Sequence, residues 1–518
     1  LFICAQRPEE TDMTTWIWAQ INNLAPKHTL HLQLRRLSPE ESRALLAALL
    51  DGGHLSPELE QMVLERCDGS PFYIQEFVRM LIERELLRQV DGQWVAPAEV
   101  DLSTTPLPVS LEGLIRSRLN ALPAAQRQLL QCISVIGRPC DRDLLAAIGT
   151  LTDLEANLEA LVQRDILHYF TETQQWQASH PLIEEVVYRS MLRPQREAWH
   201  LRVADALNRR SAETGEDAVE EQAHHYLEAN RPLQALPYLV LAGEKAAARF
   251  ANQEARQSLD LAWRLVHEHP GQTERLIWRI SAALGDVLQR LGDYGEAVQV
   301  LSQGLERCRA ARLPNYLLAG LLRRLGDTAH KQGDMDGATR RLEQALSLVQ
   351  DSQSRATQAE RARIHLSLAW GYFMQGDLER AETICLEGRE QAQAIGNLVE
   401  VARAENLLGG IYYQQGNLDK AQEHTMRAMA LREQIGFTWG VAATASNLGI
   451  LAYMAGQWRN ARRYFERSLA LREEFGDVEG VVIVLNNLAW LLKDQGDLEQ
   501  AEAYYRQSLH LANRIQGQ

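Results

Sequence analysis

Arginine, aromatic and amide side chains return on one helical face along the C-terminal half of the chain. Counted back by 13, 10, 6 and 3 residues from a recurrent glycine, this stripe carries Arg363, Trp370 and Phe373. The next units give Arg403, Asn406 and Tyr413, then Tyr453, then Asn486, Trp490 and Lys493. Offsets of three and four residues lie on one side of a helix. Rings supply contact area and amides hydrogen-bond an extended backbone, so the chemistry is that of a peptide groove. Trp370 and Trp490 are the rings best suited to pack as core between hairpins. Tyr413 and Tyr453, at one position of neighbouring units, suit a surface.

Reactive chemistry has no comparable pattern. The five lysines (Lys27, Lys245, Lys331, Lys420, Lys493) follow no Gly-x-x-x-x-Gly-Lys-Ser/Thr loop. No apolar strand ends in paired acids, so nothing in the chain cradles a triphosphate with its magnesium. The six cysteines (Cys4, Cys67, Cys132, Cys140, Cys308, Cys385) form no Cys-x-x-Cys pair. That argues against a zinc site or disulfide framework and for a reducing compartment. The expectation is a chain that is no enzyme, with no catalytic residue, metal or cofactor of its own.

The elements that hold the stripe follow from a repeat. A glycine, a polar residue, three variable positions and an alanine recur at 292–297, 333–338, 376–381, 416–421, 456–461 and 496–501. The glycines stand 41, 43, 40, 40 and 40 residues apart. Eight residues before each glycine is a leucine: Leu284, Leu325, Leu368, Leu408, Leu448 and Leu488. The following position is always small, as is the position 12 residues after the glycine. A glycine that ends a helix adopts positive φ at no cost. Small residues let antiparallel helices approach, and the leucine fills the seam. A fixed period in this range marks a solenoid of helical hairpins. The pattern resembles tetratricopeptide repeats, with a unit longer than their usual length. The resemblance implies that the stripe lines a concave groove, with a protein or peptide as the partner.

Length and charge bound the remainder. A chain of 518 residues suffices for several domains. A net charge of −14 opposes bulk nucleic-acid affinity. No apolar run approaches a membrane span, and the expected location is cytoplasmic. The chain starts at Leu1 with no leader pattern, and reads as a cut through a longer protein.

The first half divides by its breakers. Strand-like stretches lie at 1–5 and 30–34, and helices at 39–50, 57–67 and 71–87. Ser38-Pro39-Glu40-Glu41 is a helix start, and Gly69-Ser70-Pro71 a stop and restart. The proline-rich stretch 90–108 reads as a linker. Helices at 111–122, 124–136, 141–148 and 153–164, a hairpin over 168–171 and 175–179, and a helix at 181–192 follow the order of a winged helix. Asp153, Glu155, Glu159 and Asp165 against Arg164 are the wrong charge for a DNA-reading helix.

Taken in order, these stretches resemble the signal-transduction ATPases with numerous domains. Strand 1–5 with Arg7 resembles the strand whose arginine senses phosphate. Gly69-Ser70-Pro71-Phe72-Tyr73-Ile74-Gln75-Glu76 is similar to the family's helix start, whose proline lies against adenine. His180-Pro181-Leu182-Ile183-Glu184-Glu185 is similar to the winged-helix segment whose histidine approaches the diphosphate. The resemblance implies nucleotide-facing roles for Arg7, Gly69, Pro71 and His180. Arg7 would equally serve as a strand end paired with Glu9 or Glu10, and His180 as a cap of the hairpin with no ligand nearby.

The expected fold is mainly α: a remnant of a nucleotide-binding α/β domain (1–36), a helical lid and linker (37–108), a winged helix (109–210), and a tetratricopeptide solenoid (217–518). Residues 230–235 and 255–262 look like degenerate first copies of the repeat. The implied function is the protein-interaction sensor of a signalling ATPase. Its phosphate loop, with ATP or ADP and magnesium, and its nucleotide-dependent homo-oligomer belong to a longer parent. A nucleotide-independent scaffold and part of a bacterial transcriptional regulator are the alternatives.

Overall fold

The computed structural model describes residues 34–518 apart from 51–52, 91–92, 96, 98–107, 109, 150, 216, 271–273 and 517–518. Arg7, the strand expected at 1–5 and residues 30–33 of the strand expected at 30–34 lie outside the described residues. Residues up to 203 form one compact unit and those from 204 another.

In the first unit, α1 (Pro39–Leu49) opens on reciprocal caps. Ser38 Oγ accepts from the Glu41 N–H at 3.2 Å, and Glu41 Oε2 accepts from the Ser38 N–H at 2.7 Å. After β1 (His54–Leu55) and α2 (Pro57–Cys67), Gly69 turns the chain into α3 (Pro71–Glu83). Gly69 has φ +67°, and its carbonyl accepts from the Leu37 N–H at 2.8 Å. A β-carbon there would stand 2.3 Å from the Leu37 carbonyl oxygen, so only glycine fits. Val63, Ile74, Phe77 and Leu81 fill the core between these helices.

Helix α3 stops at Glu83, short of the expected 87, because Glu85 turns to φ +53°. The start of the expected linker is a hairpin instead: β2 (Arg88–Val90) pairs antiparallel with β3 (Gln93–Val95), and β3 pairs parallel with β1. Then come α4 (Leu111–Asn120), α5 (Ala124–Ile136), β4 (Cys140–Asp141), α6 (Arg142–Ile148) and α7 (Leu154–Gln163). Strands β5 (Leu167–Phe170) and β6 (Gln175–Ala178) and helix α8 (Pro181–Ser190) complete this part. The sheet order is β4-β6-β5, all antiparallel. A buried ion pair of Arg118 with Glu76 ties α4 to α3, and Arg118 also donates to the Arg164 carbonyl at 2.9 Å.

Helix α9 (Arg193–Thr214) carries the chain into the second unit, which is helical throughout. After α10 (Val219–Glu228), seven hairpins follow. They are α11 (Pro232–Ala248) with α12 (Asn252–Glu268), α13 (Glu274–Leu291) with α14 (Tyr294–Ala310), and α15 (Asn315–Lys331) with α16 (Met335–Ser347). The rest are α17 (Arg355–Gln375) with α18 (Leu378–Ala394), α19 (Leu398–Gln414) with α20 (Leu418–Gln434), α21 (Thr438–Met454) with α22 (Trp458–Phe475), and α23 (Val478–Gln495) with α24 (Leu498–Gln516).

Each part of the repeat signature has a structural cause. Its glycine ends the first helix at positive φ, as Gly376 does at +81°. The polar residue after it caps the second: Asp334, Asp377 and Asn417 accept from the N–H groups of Gly337, Arg380 and Lys420. The six seam leucines are all buried. The small residue beside each admits a knob from the facing helix, such as Leu301 over Gly285. The earliest hairpin lacks the glycine, and Phe250 takes its place at φ +60°.

Candidate functional site

The first helices of successive hairpins line up their inner faces. Between them lies a cavity of about 710 Å³. Helices α13, α15, α17, α19 and α21 form its walls. Leu366, Trp370, Phe373, Tyr413, Ile450 and Leu451 give it apolar surface, and Arg403, Asn406 and Asn447 polar groups.

Five of the ten stripe residues meet here: Trp370, Phe373, Arg403, Asn406 and Tyr413. The Trp370 and Phe373 rings stand 5.5 Å apart, and Phe373 lies over Gly410. Asn406 Oδ1 accepts from Asn447 Nδ2 at 3.4 Å. Arg403 donates to Ser367 Oγ at 3.3 Å.

The other five lie elsewhere. Arg363 is a rung in a ladder of charges, with Nη1 3.0 Å from Glu360 Oε2 and Nε 3.0 Å from Glu400 Oε1. Glu360 also takes Arg323 at 2.7 Å and is buried. Burial opposes the charge of Glu360, but Arg323 outweighs it and holds the carboxyl below its ordinary range. The Tyr453 hydroxyl donates to Asp494. Asn486, Trp490 and Lys493, on α23, are not part of the cavity wall. Trp370 and Trp490 are not core: 44% and 57% of their surfaces stay exposed, because their stripe faces away from the leucine seam.

Sequence reasoning missed Gln289, Asp327, His330 and Lys331, which line the cavity from earlier hairpins. A signal existed. Gln289 and His330 stand three residues before their glycines, as Phe373 and Tyr413 do, and Asp327 six before, as Trp370 does. The stripe therefore begins two hairpins before Arg363, on α13. Asn447 and Lys331 sit one residue off that register, and nothing in the sequence marks them. His330 is buried, and neither ring nitrogen has a hydrogen-bond partner among the described residues. Burial holds its pKa below the ordinary 6.5, so the ring is neutral.

In the first unit, Pro71 starts α3 and His180 caps α8, its Nδ1 accepting from the Leu182 N–H at 3.1 Å. Phe72 stacks on His180 with ring centres 3.7 Å apart, which brings the Gly69–Pro71 turn and His180 together.

Comparison with known proteins agrees with this architecture. Residues 278–351, 360–434 and 440–514 match the tetratricopeptide repeat family. The C-terminal hairpins are tetratricopeptide repeats. Residues 38–94 match a family described as a domain of unknown function. An uncharacterized protein of Rhizobium meliloti (strain 1021) is 26% identical over 272 residues, which is 50% of this chain and 25% of that protein. The chain thus spans about a quarter of that relative's length. Among solved structures, a Signal Transduction ATPase with Numerous Domains (STAND) protein with a tetratricopeptide repeat sensor, from Pyrococcus horikoshii, aligns over 93% of this chain and 67% of its own. The TM-score is 0.53 at 13% identity, so the likeness is one of fold. Among the described residues no helix is long and apolar enough to cross a membrane.

Proposed function

We propose that the repeats are a sensor that captures a peptide or a protein segment in the cavity of α13–α21, as part of a signalling ATPase of the STAND type. The observation that carries this reading is the cavity itself, lined by the rings of Trp370, Phe373 and Tyr413 and by the amides of Asn406 and Asn447. That is the chemistry that anchors side chains while satisfying an extended backbone.

The first unit would relay nucleotide state to the sensor. Support comes from the Phe72–His180 stack, which joins two stretches that resemble nucleotide-facing motifs of that family. Pro71, Gly69 and His180 are the proposed contacts, with Arg7 as a fourth. ATP or ADP with magnesium, the homo-oligomer and the phosphate loop belong to the longer parent, and the setting is cytoplasmic. This chain itself would hold no cofactor and perform no reaction.

The test is selection of binders from a random-peptide display library on the full chain. Selected peptides should lose about 30-fold or more in affinity for a Trp370→Ala, Tyr413→Ala double variant, as buried aromatic anchors do. Peptides that bind the double variant equally well would place the site elsewhere. For the relay, calorimetry of this chain with Mg-ATP should give no saturable heat below millimolar ligand, because the phosphate loop supplies most of the affinity. Micromolar binding would overturn that part.

A further inference from the structure

Two turns of the solenoid depart from their neighbours, and they meet. Phe250 stands five residues before Ala255, at the position that glycine fills in the six later hairpins. Its φ of +60° is a region that a bulky side chain avoids. The turn before α21 differs from its two neighbours. The turns before α19 and α23 place Asn397 and Asp477 at the helix cap, each accepting a backbone N–H. The turn before α21 places Phe437 there, with no side-chain cap. Trp439 follows two residues later.

These residues are 189 positions apart, yet Phe250 stacks on Trp439 with ring centres 5.2 Å apart and planes 24° from parallel. Phe437 lies 6.2 Å from Trp439, and the Arg290 guanidinium 5.8 Å from the Phe250 ring. Arg290 also donates to the Ala247 carbonyl at 2.8 Å, bracing the Phe250 turn. The Phe250 backbone is a local loss; together the two turns build one contact. Sequence choices that contradict local structure without local gain point to function.

We propose that the Phe250–Trp439 stack is a clasp that closes this arc of the solenoid around the cavity, and that a peptide in the cavity and the joined clasp reinforce each other. The cavity wall runs from Gln289, beside Arg290, to Leu451 on the helix that Trp439 enters. The clasp therefore joins the ends of the arc that the ligand would span. A ligand that touches both α15 and α21 favours the arc that brings them together, and by linkage the clasp must then strengthen ligand binding equally. A single ring pair shifts an equilibrium by about tenfold at most, and the backbone of Phe250 opposes it. A ligand-driven shift requires closed and open arcs that lie close in free energy. The coupling rests on the proposed peptide site; the clasp does not.

The experiment uses the full chain with Cys4→Ser and spin labels at Glu254→Cys and Glu474→Cys, both exposed. The other five cysteines are buried. Pulsed electron resonance should give a shorter, narrower distance distribution in this background than with Trp439→Ala added. Phe250→Gly suits the positive φ while removing the ring. It should open the arc in the same way while holding or raising the melting temperature. Equal distributions in all three proteins would overturn the clasp. A peptide from the display selection should narrow the distribution and bind Trp439→Ala about five- to tenfold more weakly. Unchanged affinity in an opened arc would overturn the coupling. A selection that yields no peptide would sink the cavity reading, and the coupling with it, while the label distances still decide the clasp.

Discussion

The separation of seam from cavity can be tested by exchanging one leucine and one tyrosine for alanine. Leu448 is 1% exposed and packs within the cluster that holds Leu408, Ile411 and Ala421. Leu448→Ala removes about three methylene equivalents, or roughly 2.4 kcal/mol of transfer free energy. The facing helices are held by their own seams and cannot close the void, so the total should reach about 3–4 kcal/mol. Tyr413 is 37% exposed, and its ring covers only one side of the cavity. Its loss should cost about 1 kcal/mol, part of which alanine's helix propensity returns. Urea unfolding followed by circular dichroism measures both. Peptide affinity should move the other way, falling at least tenfold for Tyr413→Ala and little for Leu448→Ala. If Tyr413→Ala lowers the urea midpoint as far as Leu448→Ala does, the stripe is core and the reasoning fails.

Acid should unfold the repeats partly through Glu405. Its carboxylate lies 2.6 Å from His424 and 3.3 Å from Arg389; burial alone would raise its pKa, but these partners hold it below the ordinary 4.5. The stabilisation is therefore complete above about pH 4.5 and lost as pH falls through the depressed value, so Glu405→Gln should flatten the acid limb of urea midpoint against pH. His330→Leu should raise stability by about 1 kcal/mol at neutral pH, because it removes two buried, unpaired nitrogens. His330 is held below 6.5, so its variant should also lose a decline in stability as pH drops through that value; a lower melting temperature at pH 7 would mean the ring has a partner. Gly69→Ala should destabilise the first unit by more than the roughly 1–2 kcal/mol of a positive φ alone, given the Leu37 clash, and an unchanged melting temperature would refute the turn's role.

How much could be read from the sequence depended on the range of the interaction. The repeat, its helix ends and its seam were legible, because each is set by contacts within one hairpin or with the next. Gly376 ends its helix and Asp377 caps the following one whatever happens six hairpins away. The helix start at Ser38 was equally local. The sequence also placed the stripe on a face distinct from the leucines, since helical spacing alone decides that.

Only the tertiary structure decided which stripe residues gather. The winding of a solenoid sums small rotations between hairpins, and no window of sequence records the sum. That winding gave the cavity to His330, Trp370 and Tyr413 and left Trp490 outside it. Arg363 matched the stripe in spacing, but two buried acids from its own and the next hairpin claimed it. Phe250 and Trp439 carry no signal of pairing in the sequence, and their contact appears only where the accumulated turn brings their rings to 5.2 Å.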